Sequence, residues 1–208
     1  MPNALIVDDH PFIRASVKLL LQQENFDAVA EAGDGVDALQ LARECSPELI
    51  ILDIALPRLD GLEVIRRIVN LGLKSRILVL TSMAPNLFLS RCIQGGAAGF
   101  VSKTHDLEEL VKGVQTIMSG YTYFPNIDTS SVRRCDGRLS DQELIKLLSD
   151  RELVVLQHLC HGLSNNEIAE ALLISNKTVS TYKTRLIEKL HVKSVVYLVD
   201  FAKRNDLV

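Results

Sequence analysis

The chain has 208 residues, of which 47% are hydrophobic and 24% charged, with a formal net charge of -3. That is the composition of an ordinary folded protein, long enough for one large domain or two small ones. No apolar run approaches the roughly 18 residues of a membrane span. The start, "MPNALIVDD", lacks a basic segment followed by an apolar stretch and a cleavage site, so a cytoplasmic protein that does not touch the membrane is expected.

Cys45, Cys92, Cys135 and Cys160 show no CxxC spacing, which argues against a disulfide framework or a zinc site. His158 and His161 bracket Cys160, but no further ligand cluster lies nearby in sequence. Charge is uneven along the chain. Residues 1 to 125 carry 15 acidic and 11 basic side chains, net -4. Residues 176 to 193 carry Lys177, Lys183, Arg185, Lys189 and Lys193 against Glu188 alone, net +4. Halves of opposite character suggest two tasks.

In chain order, "ALIV" (4 to 7), "AVAEA" (28 to 32), "LIIL" (49 to 52), "ILVL" (77 to 80) and "GFV" (99 to 101) read as short strands bounded by turn residues. Helical spacing fills the gaps. Pro11 to Gln23 sets Phe12, Ser16, Leu19 and Leu20 on one side, and Leu62, Ile65, Ile68 and Val69 form another stripe. Asp106 with Glu109 makes a capping-box signature ahead of "LVKGVQTIM". Strands alternating with helices predict a five-stranded parallel, doubly wound α/β domain covered on both faces.

In such a sheet the ligand site lies at the carboxyl ends of the strands. Asp8 and Asp9 follow the first strand, Asp53 the third, Thr81 ends the fourth and Lys103 follows the fifth, all on one edge. Each has an ordinary reading when taken singly, as a cap, a strand end or a surface cation; their convergence does not. Three carboxylates against one lysine remain net negative, which a hard divalent cation relieves, and Mg²⁺ suits one or two carboxylates with waters and phosphate oxygens. Asp53 is then the expected nucleophile toward an activated phosphorus, with Lys103 neutralising phosphoryl oxygens and Thr81 donating to one of them.

After "GYTYFP" (120 to 125) the periodicity fades, and "NIDTSSVRRCDGRLSD" (126 to 141) reads as a linker. A helical turn around "QELIKLL" fits either side of it. From 149 onward the chain reads as all helix. Ser149 with Glu152 caps "RELVVLQHLCH", Ser164 with Glu167 caps "NNEIAEAL", Ser175 caps "NKTVSTYKTRLIEKL", and "SVVYLVDFAKRN" closes the chain. Two short helices joined by a tight turn, the second basic, predict an all-α four-helix domain built on a helix-turn-helix. Val179, Leu186 and Leu190 face its core, while Ser180, Thr181 and Thr184 lie on another face flanked by Lys177, Lys183 and Arg185. Short hydroxyl side chains reach base edges and cations hold phosphates, so double-stranded DNA is the expected partner.

Two resemblances follow from these motifs. The acidic pair, Asp53, Thr81 and Lys103, with "DIALPRLDGLEV" and "GAAGFVSK", resemble the receiver domain of two-component response regulators, flavodoxin-like in fold. "SDRELVVLQHLCHGLSNNEIAEALLISNKTVSTYKTRLIEKL" is similar to the LuxR-type DNA-binding domain that ends NarL/FixJ response regulators. "YTYFP", "ISNKTVSTYKTRL" and "DFAKRN" resemble, more narrowly, the BvgA/EvgA branch. The expected division is a receiver over 1-124, a linker over 125-144 and a helix-turn-helix domain over 145-208.

The resemblance implies that Asp8, Asp9, Asp53 and the Ala55 carbonyl bind Mg²⁺, that Thr81 and Phe100 form a switch pair, and that Ser180, Thr181 and Thr184 face bases. It further implies a sensor histidine kinase or phosphotransfer protein as donor, a homodimer, and RNA polymerase as a further partner. The chain is then a regulator whose sole chemistry is its own phosphoryl transfer. Two departures stand out. Thr104 replaces the proline common after the lysine, and Ala55 and Met83 lack polar groups to orient an attacking water, so slow loss of the phosphoryl group is expected. Three competing readings remain: a magnesium phosphohydrolase, which lacks its second acid at Ala55; a regulator indifferent to phosphorylation; and a LuxR-type sensor of a diffusible ligand, which lacks an aromatic ligand cavity.

Overall fold

The computed structural model describes residues 3–26, 28–104, 106–125, 141–205 and 207. They fall into two compact units, Met1–Pro125 and Asn126–Val208. Most of the stretch read as linker, residues 126 to 140, lies outside the described residues.

In the first unit, five parallel strands, β1 (Asn3–Val7), β2 (Ala28–Ala32), β3 (Leu49–Leu52), β4 (Arg76–Thr81) and β5 (Gly99–Ser102), form one sheet in the order β2-β1-β3-β4-β5. β3 and the last four residues of β1 are wholly buried. A sheet with helices on both faces has no wet side, which is why these strands read as continuous apolar runs instead of alternating ones. The helices are α1 (Pro11–Gln23), α2 (Gly35–Cys45), α3 (Gly61–Asn70), α4 (Pro85–Gly95) and α5 (Leu107–Met118).

Strand order reverses direction between β1 and β3, so the crevice at their carboxyl ends is the topological switch point where such sheets bind ligands. The sheet's hydrogen bonding runs one residue past the strands there. Asp8 N–H donates to the Ala32 carbonyl at 3.1 Å, Asp53 N–H to Val7 at 2.9 Å, and Lys103 N–H to Thr81 at 2.9 Å. Three of the polar residues read from the sequence are thus held by the ladder itself.

Helix α1 corrects one expectation. It buries Val17, Leu20 and Leu21, while Phe12 is 88% and Leu19 63% exposed and Ser16 also faces outward. "PFIRASVKLLLQQ" supports two apolar stripes at helical spacing. The chain leaves β1 through Asp8 to His10 with Pro11 opening the helix, and that entry turns Ile13, Val17, Leu20 and Leu21 to the sheet. In α3, Leu62, Ile65 and Ile68 are buried as read, but Val69 is 47% exposed and Val64 takes the core position. Asp106 does sit at the N-cap of α5, yet its side chain makes no capping bond; Glu109 is engaged by the Tyr123 hydroxyl instead. The segment after α5 is tied to the sheet. Tyr123 exchanges backbone bonds with Ala98 and Phe100 and bridges Gly99, shielding the edge strand β5.

The second unit opens with a short helix, α6 (Asp141–Lys146), which begins inside the stretch read as linker and buries Leu144. The four expected helices follow: α7 (Asp150–Cys160), α8 (Asn165–Ala171), α9 (Asn176–Lys189) and α10 (Val195–Arg204). Ser149–Glu152 and Ser164–Glu167 both close complete capping boxes, and the Ser175 hydroxyl accepts from Thr178 N–H. Val154, Val155, Ile168, Val179, Leu186 and Leu198 are fully buried in this unit. Among the described residues, no helix is long and apolar enough to cross a membrane.

The loop from β3 to α3 packs against the sheet edge so closely that a Cβ on Gly61 would lie 2.2 Å from the Asp53 carbonyl oxygen and 2.7 Å from the Ile54 Cα. Both neighbours are backbone and cannot give way as a side-chain end would. Gly61→Ala is therefore expected to destabilise the first unit by about 1–3 kcal/mol, read as a lower urea midpoint. An unchanged midpoint would show that the loop is free to move.

Candidate functional site

At the switch point, Asp8 and Asp53 are both buried, and Lys103 lies between them with its Nζ 2.6 Å from Asp8 Oδ2 and 2.6 Å from Asp53 Oδ2. The other Asp53 oxygen, Oδ1, accepts from the Ile54 N–H at 2.6 Å and the Ala55 N–H at 3.3 Å. The carboxylate is thereby fixed in rotation, with one oxygen against backbone donors and the other against the ammonium. Burial works against the charge on Lys103, but the attraction of Asp53 and the bonds to Asp53 and Asp8 outweigh it, so its pKa lies above the ordinary lysine value.

Asp9 sits farther out and is partly exposed. Burial pushes its pKa up, and the neighbouring Asp53 and Asp8 charges add to that, against an opposing pull from His10. Its Oδ1 is buried with no hydrogen-bond partner, although His10 Nδ1 is 2.7 Å away; the two approach without the alignment of a bond. An orphaned carboxylate oxygen in a net negative pocket fits a hard cation. The ligand atoms that lie within 4.8 Å of one another belong to Asp8, Asp9 and His10, and Asp53 joins this group through Lys103. For Ala55 the structure shows its N–H on Asp53.

Thr81 is fully buried at the end of β4, its Oγ1 accepting from the Met83 N–H at 3.3 Å. Phe100 is buried in β5, two strand positions from the site edge. Sequence reasoning missed two residues here. His10 caps the approach to α1 and donates its N–H to Asp8 Oδ1 at 2.9 Å. Arg14 reaches back from α1 to the Asp8 carbonyl at 2.7 Å and to Glu31. The pairing of Arg14 and Lys18 with Glu31 depends on which face α1 shows to β2, which the ambiguous stripe concealed.

In the helical unit, Lys177, Ser180, Thr181, Thr184 and Arg185 are exposed along α9, and Lys183 is half-buried. They share one outward surface, opposite Val179, Leu186 and Leu190. Two cations in this helix are committed to protein groups. Lys183 Nζ donates to Asn165 Oδ1 at 3.1 Å. Lys189, counted in the basic run, donates to Glu152 Oε2 at 2.7 Å and to the Leu147 carbonyl at 3.2 Å. Lys189 thus ties the end of α9 to the capping box of α7, and the cationic surface is smaller than the sequence balance suggests. Asn165, on α8, also escaped the sequence reading; nothing in "GLSNNEIAEAL" distinguishes it from a surface amide.

Comparisons with known proteins agree with this arrangement. A family model for the response regulator receiver domain matches residues 4–115, and one for bacterial regulatory proteins of the luxR family matches residues 146–202. Over 205 residues the chain is 52% identical to the virulence-factor transcription regulator BvgA of Bordetella pertussis, covering 99% of this chain and 98% of that one. It is 36% identical over 206 residues to the DNA-binding transcriptional activator EvgA of Escherichia coli, covering 99% of each. A solved complex of the response regulator RcsB with DNA shares 26% identity at a TM-score of 0.55, covering 97% of this chain and 98% of that one.

The Glu152–Lys189 pair gives the helical unit an acid limit. Burial raises the Glu152 pKa, but the bonds from Lys189 and Ser149 prevail and hold it below the ordinary 4.5. A depressed carboxylate contributes stability that is present above 4.5 and lost as pH falls through the folded value. Melting of this unit is expected to drop over that window in wild type and to lose that part of its slope in Glu152→Gln. Lys189→Met should cost on the order of 1–3 kcal/mol at neutral pH; an unaffected melting temperature would remove Lys189 from the structural role.

Proposed function

The chain belongs to the response regulators that join a receiver domain to a LuxR-type DNA-binding domain, and from that membership we propose how its own residues carry a signal from Asp53 to DNA. It is a transcription regulator and not an enzyme with a separate substrate. Asp53 is the phosphoacceptor. Its Oδ1 is pinned by backbone N–H groups, so Oδ2 is the oxygen presented to the donor phosphorus, with Lys103 beside it.

Asp8, Asp9 and Asp53, with the Ala55 carbonyl, hold Mg²⁺, which offsets the charge of the incoming phosphoryl oxygens. Lys103 transfers one of its bonds from Asp53 to a phosphoryl oxygen, and the Thr81 hydroxyl, whose oxygen accepts from the Met83 N–H, donates its proton to another. Phe100 is the aromatic member of the switch. The phosphoryl group adds about -1.5 to -2 charges at a buried point, enough to bias a surface with two arrangements.

A sensor histidine kinase or phosphotransfer protein supplies the group, the phosphorylated chain pairs as a homodimer, and the two α9 helices read half-sites about 10 base pairs apart. Lys177 and Arg185 meet phosphates, as does Lys183 with the ammonium donors it does not give to Asn165, and Ser180, Thr181 and Thr184 meet base edges. A kinase donor and a chromosomal target both support a cytoplasmic location. The observation that carries the reading is the lysine shared at 2.6 Å by two buried aspartates at the switch point of a sheet whose chain goes on to a helix-turn-helix.

Footprinting of genomic DNA with and without acetyl phosphate tests it. Protected sites are expected to appear at lower wild-type concentration after acetyl phosphate treatment, and Asp53→Asn is expected to show no such change. Equal footprints for treated and untreated wild type would make the DNA binding independent of Asp53. The phosphoryl group should also persist for minutes or longer, since Ala55 and Met83 offer no polar side chain to an attacking water; loss within seconds from the purified, gel-filtered protein would contradict this.

A further inference from the structure

Resting on the reading of α9 as the DNA-facing helix, we propose that Asn165 is a positioning residue that sets Ser180 as a hydrogen-bond donor to DNA and so fixes which base edge Ser180 selects.

Asn165 lies on α8 and reaches two side chains of α9. Its Oδ1 accepts from Lys183 Nζ at 3.1 Å, and its Nδ2 donates to Ser180 Oγ at 3.3 Å. The amide orientation follows from chemistry. An ammonium has donors only, so the amide oxygen must face Lys183 and the NH₂ must face Ser180. A hydroxyl that accepts from an amide N–H keeps its own proton for another partner.

Serine and threonine in a helix commonly give that proton to the carbonyl four residues back. Thr181 does so to Lys177 at 3.0 Å and Thr184 to Ser180 at 3.2 Å. Ser180 does not: among the described residues no acceptor takes its hydroxyl proton. The three exposed hydroxyls of α9 are consequently unequal. Thr181 and Thr184 present lone pairs and methyl groups, whereas Ser180 still has its O–H to give, beside one remaining lone pair.

A donor at this point favours base edges that accept in the major groove, those of guanine or thymine, over the amino group of cytosine. Asn165→Asp reverses the arrangement. The substituted carboxylate would be acceptor-only, would keep its bond to Lys183, and would draw the Ser180 proton inward, leaving lone pairs toward the DNA. The base edge selected should then shift toward an amino group.

The test is selection from a randomised double-stranded DNA library by the full-length chain treated with acetyl phosphate and magnesium chloride. Wild type, Asn165→Asp, Asn165→Ala and Ser180→Ala are compared. Wild type is expected to prefer guanine or thymine at one position of each half-site by about fivefold. Asn165→Asp should turn that preference toward cytosine or adenine. Asn165→Ala and Ser180→Ala should each flatten that same position and leave the others unchanged, with no further effect when combined. If Asn165→Asp does not fold, wild type, the two alanine variants and their combination still decide. Uniform weakening at every position in the Asn165 variants, or an unaltered profile for Ser180→Ala, overturns the proposal. Failure of wild type to enrich any sequence is a different result, since it overturns the DNA-binding reading itself.

Discussion

One ammonium held between two buried carboxylates organises the first half of this molecule. Lys103 touches Asp8 and Asp53 at equal distance, and neither acid has bulk water to fall back on. A buried ion pair is weak evidence for stability, because desolvation of its members offsets most of their attraction. The arrangement is better understood as a poised site. Two acids and one base leave a negative excess, and Asp9 adds to it, a balance that a hard cation would relieve. The strained electrostatics are retained because the three residues hang from the sheet's own hydrogen-bond ladder, which the apolar strands hold rigid.

The same ladder explains why β3 and its loop tolerate so little. Asp53 must leave the strand with its N–H on Val7 and its carboxylate against the next two backbone amides. The chain then doubles back close enough for Gly61 N–H to bond Ile54. Only a residue without a side chain fits there. A loop packed this closely leaves the backbone beside Asp53 little room to shift.

Much of this was legible in the sequence, and the reasons differ by element. Short apolar runs in a doubly wound sheet are bounded by polar turns, so "AVAEA" and "LIIL" matched β2 and β3 residue for residue, and the polar residues after the runs had to share an edge. N-cap signals are local in sequence and specific in chemistry, so the capping boxes at Ser149 and Ser164 and the simple cap at Ser175 marked their helices. Phase was harder. In α1 two stripes satisfy the same period, and the choice rests on how the chain enters from β1. Partnership between distant elements was harder still. Lys189 with Glu152, Asn165 with Ser180, and Arg14 with the Asp8 carbonyl each join residues whose spacing follows no period. The basic run from 176 to 193 therefore looked more like a uniform cationic surface than it is.

On the proposed reading, that difference bears on how a small event at Asp53 would govern DNA occupancy. Each unit has its own buried core, so on that reading the signal would need only to shift an equilibrium between surfaces. A tenfold change in occupancy requires about 1.4 kcal/mol of difference between two states. Unit charges 4 Å apart in a medium of effective dielectric about 20 interact by roughly 4 kcal/mol, so a doubly charged group beside Lys103 and three aspartates supplies enough even after most of it is lost to relaxation. On that reading the energy would act on a helix, α9, whose side chains are already sorted. Lys189 is fixed to the scaffold, Thr181 and Thr184 are bonded to their own helix, and Ser180, Lys177 and Arg185 face outward. A helix ordered in this way incurs little further entropy loss when it meets DNA. On the proposed reading, the phosphoryl signal would set how often two such helices are paired, while the arrangement of each helix would set what they read.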